Sequence, residues 1–167
     1  MDGLQGIEAF ADVKRLIVVA AHPDDLECVC GGTIALLVAR GVEVHSVNCT
    51  LGDIGAVRPA LAATRLAETD EAARLLGIRS THNLGHHDGE LVPDLELRAQ
   101  ISRLYRLTQA DTLFTFDPYW TGQIHPDHRA AGQAALDAYI PSKMPLYRPE
   151  QLAGIPLGAG ASLGRLE

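Results

Sequence analysis

Leu16-Ile17-Val18-Val19-Ala20-Ala21-His22-Pro23-Asp24-Asp25 is the stretch on which the fold turns. Its apolar half is continuous and β-branched, with no polar residue at alternate positions. A strand with one wet face would alternate, so this run reads as a strand buried on both faces of a parallel sheet. It breaks off at a turn of ionisable residues. Downstream, Gly31-Gly32 leads into a buried helix predicted over residues 33–40 and closed by Gly41 in the C′ position. Residues 42–50 read as a second strand. Over residues 61–76 apolar and alanine positions recur at helical spacing, with Arg65, Glu68, Glu71 and Arg74 as the polar face and Gly77 as the stop. Asn83 and Leu84 end a short third strand. Residues 95–107 read as an amphipathic helix with Leu95, Ile101, Leu104 and Tyr105 inward, and residues 111–116 as a fourth strand. A last helix opens at Pro126 or Asp127 and runs to Tyr139, and the proline-rich residues 141–149 end regular structure.

Strands alternating with helices predict a Rossmann-like α/β sandwich, with helices on both faces of a mostly parallel sheet. The 167 residues suit a single domain with its core over 15–140 and an irregular stretch over 141–167. There is no internal repeat. A net charge of −7, with 14 Lys and Arg and no basic stripe, excludes a non-specific nucleic-acid binder. The run 16–21 is far too short for a signal h-region or a membrane span, which predicts a cytoplasmic protein without an integral membrane segment. Cys28, Cys30 and Cys49 cannot all pair within one chain and read as buried or inert thiols.

In such folds the chemistry gathers beyond the C-terminal ends of the strands. His22, Asp24 and Asp25 crowd the turn after the first strand, and His125-Pro126-Asp127-His128 follows the fourth. Imidazoles and a carboxylate are the common ligands of zinc, and a catalytic site uses three of them with one position left open. His22, Asp25 and His128 fit that count. Asp24 is then free to take a proton from water polarised by the metal, and His125 to stabilise the oxyanion or protonate the leaving amine. Asp127 is suited to orient one of the imidazoles. A single His-Pro-Asp turn can also simply cap a helix, but two such turns at two strand ends of one sheet are harder to explain that way.

Ala21-His22-Pro23-Asp24-Asp25, then Gly31-Gly32-Thr33, then His125-Pro126-Asp127-His128 resembles the LmbE-like, or PIG-L, family of de-N-acetylases over residues 15–139. The resemblance implies an LmbE-like three-layer sandwich and a zinc-dependent hydrolase that removes the acetyl group from an N-acetylated amino sugar or its conjugate. It implies His22, Asp25 and His128 as zinc ligands, Asp24 as general base and His125 as an aid at the tetrahedral intermediate. The division of labour between Asp24 and Asp25 comes mainly from the family. Gly52-Asp53-Ile54-Gly55 is similar to the family's loop after the second strand, from which Arg58 or Arg65 would reach a substrate hydroxyl or phosphate. Arg65 is equally suited to pair with Glu68 and Glu71 on its own helix. His86-His87-Asp88-Gly89 is similar to a family loop ending in Asp-Gly, so Asp88 is a candidate for sugar hydroxyls or simply part of a turn. The family continues with further strands where this chain ends in Gly154-Ile155-Pro156-Leu157-Gly158-Ala159-Gly160. Part of the substrate surface and of any homo-oligomer contact is therefore expected to be missing.

Rival readings are a non-catalytic Rossmann-like module for a nucleotide or sugar, and a phosphoesterase. Gly158, Gly160 and Gly164 miss the dinucleotide spacing and follow no strand, and a two-metal site would need more converging carboxylates. No G-x-S-x-G elbow is present. His82, His86 and His87 could form a separate metal cluster, although loop histidines are more often plain surface residues.

Overall fold

The apolar run forms β1 (Arg15–Ala20), and the sheet grows outward from it. The computed structural model describes residues 6–55, 60–153 and 155. In chain order the remaining strands are β2 (Glu43–Thr50), β3 (Ser80–His86) and β4 (Thr112–Thr115). β1 lies between β2 and β4, β3 flanks β2, and every pairing is parallel. The helices α1 (Asp25–Ala39), α2 (Leu61–Leu76), α3 (Leu95–Thr108) and α4 (Pro126–Lys143) alternate with the strands.

Successive side chains of a strand face opposite sides, and β1 has a core on each. Ile17 and Val19 join Val47, Cys49 and the inner faces of α3 and α4, including Leu97, Ile101 and Ala134. Leu16 and Val18 join Val44 and the α1 residues Leu26, Ile34 and Leu37. The result is the expected three-layer α/β sandwich. Burying a side chain of this size contributes about 1.5–3 kcal/mol, so β1 anchors both halves of the core.

Several boundaries differ from the sequence reading. α1 starts at Asp25 and not at residue 33, with Gly31 and Gly32 inside it; burial of Leu26, Ile34 and Leu37 offsets a helix penalty of about 1 kcal/mol per glycine. Leu95 is exposed, and Leu97 holds the inward position because Asp94 caps α3 through Oδ1, which accepts from the Glu96 and Leu97 N–H groups. α4 continues past Tyr139 to Lys143 with Pro141 in its last turn, and a 3₁₀ turn (Pro149–Leu152) follows. Cys49 is buried, its thiol pushed up to about 12 chiefly by desolvation, while Cys30 is half-buried and Cys28 exposed. Gly158 to Gly164 lie outside the described residues.

Candidate metal centre at the strand ends

β1 is the strand at which the sheet order reverses, with β2 on one side and β4 on the other. A crevice opens at such a point beyond the carboxyl ends of the strands. The turn after β1 and the start of α4 meet there.

Asp25 opens α1 and folds back on the turn. Its Oδ2 accepts from the Ala21 N–H at 3.1 Å and the His22 N–H at 2.8 Å. That leaves Oδ1 facing His128 Nε2 at 3.3 Å, while His22 Nδ1 lies 3.4 Å from Oδ2. The ligand atoms of His22, Asp25 and His128 all lie within 4.8 Å of one another, so the three could hold one cation. The His128 ring stacks on Phe116, with centroids 4.0 Å apart and planes 6° from parallel, and on His125 at 4.6 Å. These contacts fix the plane in which Nε2 points.

Asp127 is fully buried. Its Oδ2 lies 3.2 Å from His22 Nε2 and accepts from the Gly89 N–H at 2.7 Å, and its Oδ1 accepts from the Leu91 N–H at 3.3 Å. A carboxylate on Nε2 keeps the proton there and frees Nδ1 to ligate. Asp88, also buried, brings Oδ1 to 3.1 Å from the same Nε2. Burial alone would lower the pKa of His22, but its hydrogen bond and charge interaction with Asp25, reinforced by Asp88 and Asp127, raise it to about 9. His128 is lowered by desolvation, against the pull of Asp25. Asp25 sits below its usual range because the His22 contacts and the nearby His128 outweigh desolvation. The crevice is built to attract positive charge.

Asp24 stands apart. It occupies the N-cap position of α1 in the left-handed region, φ 97°, and its side chain makes no capping hydrogen bond. The carboxylate is largely exposed and pairs with Arg65 Nη2 at 3.4 Å, while Arg65 Nη1 donates to the Pro23 carbonyl at 2.8 Å. Arg65 thus braces the turn after β1 and is not spent on its own helix face, where Glu71 pairs with Arg74. His125 caps α4: its Nδ1 accepts from the Asp127 N–H at 3.2 Å.

The remaining candidates separate. Arg58 lies outside the described residues. Asp88 is directed at His22, and its loop is tied down by Asp53, which accepts from the Asp88 N–H and pairs with His87. His82, His86 and His87 engage Ser80, Gln100 and Asp53 respectively, and among the described residues they form no joint ligand group. A second group that could hold a cation, His22, Asp88 and His125, shares His22 with the first. Sequence reasoning missed Phe116, the anchoring of the Asp88 loop by Asp53 and the bracing role of Arg65, because local pattern does not show which distant partner a strand end, a loop aspartate or a helix-face cation will meet.

The sequence profile of the family described as GlcNAc-PI de-N-acetylase (PIG-L) matches residues 17–139. The diacetylchitobiose deacetylase of Thermococcus kodakarensis is 32% identical over 154 residues, covering 89% of this chain and 58% of that one. The structure of N,N'-diacetylchitobiose deacetylase from Pyrococcus horikoshii, in complex with the inhibitor MPG, superposes with a TM-score of 0.82 at 33% identity, covering 92% of this chain and 62% of that one. The 4-carboxy-2-hydroxymuconate hydratase GalB of Pseudomonas putida superposes with a TM-score of 0.71 at 26% identity, covering 83% and 60%. The chain spans about three fifths of the length of the proteins it matches. Among the described residues no helix is long and apolar enough to cross a membrane.

Proposed function

The chain belongs to the PIG-L family, and from that premise we propose that it is a zinc-dependent hydrolase releasing acetate from an N-acetylated amino sugar or a conjugate of one. The observation that carries the reading is the convergence of His22, Asp25 and His128 on one crevice. Two imidazoles and one carboxylate oxygen make a donor set that zinc favours, and the buried carboxylate of Asp127 on the far nitrogen of His22 is the usual support for such a ligand. A zinc ion held there would supply a Lewis acid that polarises the acetamide carbonyl and lowers the pKa of water toward ~7.

The protein groups do the rest. Asp24, exposed at the crevice turn, takes a proton as a water oxygen attacks the carbonyl carbon, and returns it to the nitrogen as the C–N bond breaks. The products are acetate and the free amine. Because His125 Nδ1 accepts a backbone hydrogen bond, Nε2 is the ring nitrogen left to donate. We assign His125 to donate to the developing oxyanion, and protonation of the leaving nitrogen to Asp24. Asp127 orients His22, and Arg58 and Asp88 contact the sugar, Asp88 from its place beside His22. A cytoplasmic setting and self-association belong to the same proposal.

GalB shows that the fold also serves a hydratase, so the test reads acetate directly. Purified protein is expected to carry about one zinc per chain and to release acetate from N-acetylglucosamine conjugates. His22→Ala should lose both together. Full zinc retention in that variant would refute the ligand set, and turnover without acetate would refute the reaction.

A further inference from the structure

Between β4 and α4 the chain exposes Tyr119, Trp120 and Ile124, at 72%, 61% and 85%. Exposed aromatic residues grouped on one loop mark a binding surface more often than a structural one. This loop is also rigidly built. The Tyr119 N–H donates to Asp117 Oδ1 at 2.9 Å, the Gln123 N–H donates to the Trp120 carbonyl at 3.0 Å, and Gln123 Oε1 accepts from the His125 N–H at 3.3 Å. From the first turn of α4, Arg129 donates to the carbonyls of Gln123 and Ile124 at 2.9 and 3.0 Å. The indole lies against Gly122 so closely that a Cβ there would come within 2.4 Å of it.

Both ends of the loop belong to the catalytic crevice: Phe116 stacks on His128, and His125 caps α4. We propose that Trp120, backed by Tyr119, is a carbohydrate subsite that stacks on the pyranose ring joined to the N-acetylated sugar. The inference rests on the deacetylase reading and names its substrate class, an acetylated amino sugar carrying a second sugar. The acetamide carbonyl must lie beside His125, so a ring on the loop beyond His125 is the next one along. The apolar C–H face of a pyranose fits a flat, preordered indole, which loses little side-chain freedom on binding.

Trp120 is the one tryptophan of the chain, so its emission reports the subsite directly. Zinc-loaded protein carrying Asp24→Asn, titrated with N,N'-diacetylchitobiose, should show a saturable emission change that N-acetylglucosamine at equal concentration does not produce. In the otherwise native enzyme, Trp120→Ala should raise KM for the disaccharide about tenfold with kcat within twofold, lowering its preference over the monosaccharide, and Trp120→Phe should restore part of it. An emission unmoved by either sugar, an equal loss on both substrates, or an emission that depends on protein concentration alone, as a second copy covering the loop would give, overturns the subsite. If the disaccharide shifts the emission and no acetate is released, the reaction assignment fails and the subsite stands.

Discussion

Asp24 is held where an L-residue is strained. A left-handed φ of 97° costs a non-glycine residue about 1–3 kcal/mol, and the side chain does not recover this by capping α1. Arg65 keeps the turn in place through the Pro23 carbonyl. If that strain serves proton transfer, Asp24→Gly should raise the thermal stability of the protein by up to about 1 kcal/mol while abolishing acetate release and leaving zinc content intact. Turnover surviving in Asp24→Gly would remove Asp24 from the base role. His22 gives a pH prediction. In metal-free protein its pKa rises from 6.5 to about 9, so the stability it contributes is complete below pH 6.5 and is lost as pH rises through 9. The melting temperature of chelator-treated protein should fall across that window and that of His22→Gln should not; parallel curves would refute the charge arrangement around the ring. The meeting of His22, Asp25 and His128 was legible because ionisable side chains after a buried strand have no packing use. Arg65 was not, since Glu68 and Glu71 offered it a plausible surface pairing.

Among the elements, α4 carries the most of the site and depends on a glycine for its position. Gly132 lies one turn beyond His128, and a Cβ there would come within 2.2 Å of the Phe116 carbonyl oxygen and 3.3 Å of Pro118 Cδ. This close approach lets the end of β4 place Phe116 against His128. In an ordinary helix Gly→Ala stabilises by about 1 kcal/mol. Here Gly132→Ala should destabilise by roughly 1–3 kcal/mol, as overpacking does, and should weaken zinc binding because the His128 ring loses its stacking partner. A gain in melting temperature with unchanged zinc affinity would show that α4 has room to move. The start of α4 was readable, with Pro126 in the first turn and a capping side chain before it. The start of α1 was not, because Gly31 and Gly32, which as a pair of poor helix formers read as a break before the helix, lie inside it.

At the scale of the molecule, the strand order β3-β2-β1-β4 brings residues 22 and 128 together, and the alternation of strands and helices made that arrangement legible. What closes the opposite end of α4 was invisible in the sequence. Arg106, on α3 and only 4% exposed, has no carboxylate partner among its hydrogen bonds. Its Nε donates to the Ser142 carbonyl at 2.9 Å, and its Nη2 donates to those of Pro141, Met144 and Tyr147 at 3.1, 2.9 and 2.7 Å. Its Nη1 reaches the Arg148 carbonyl and Gln151 Oε1, both at 3.2 Å. A planar fork of donors meets the free carbonyls at the negative end of the helix, and continues α4 through Pro141 into the following turn. Lysine offers a point charge in place of the fork, and hydrogen bonds to a charged group contribute about 1.5–3 kcal/mol each. Arg106→Lys should therefore cost roughly 3 kcal/mol and open residues 144–153 to amide exchange. The 18 residues of α4 span about 27 Å, so zinc affinity at its other end should change less than threefold. Unchanged exchange over residues 144–153 would refute the clamp, and a parallel loss of zinc would mean that α4 transmits disorder along its whole length to the site.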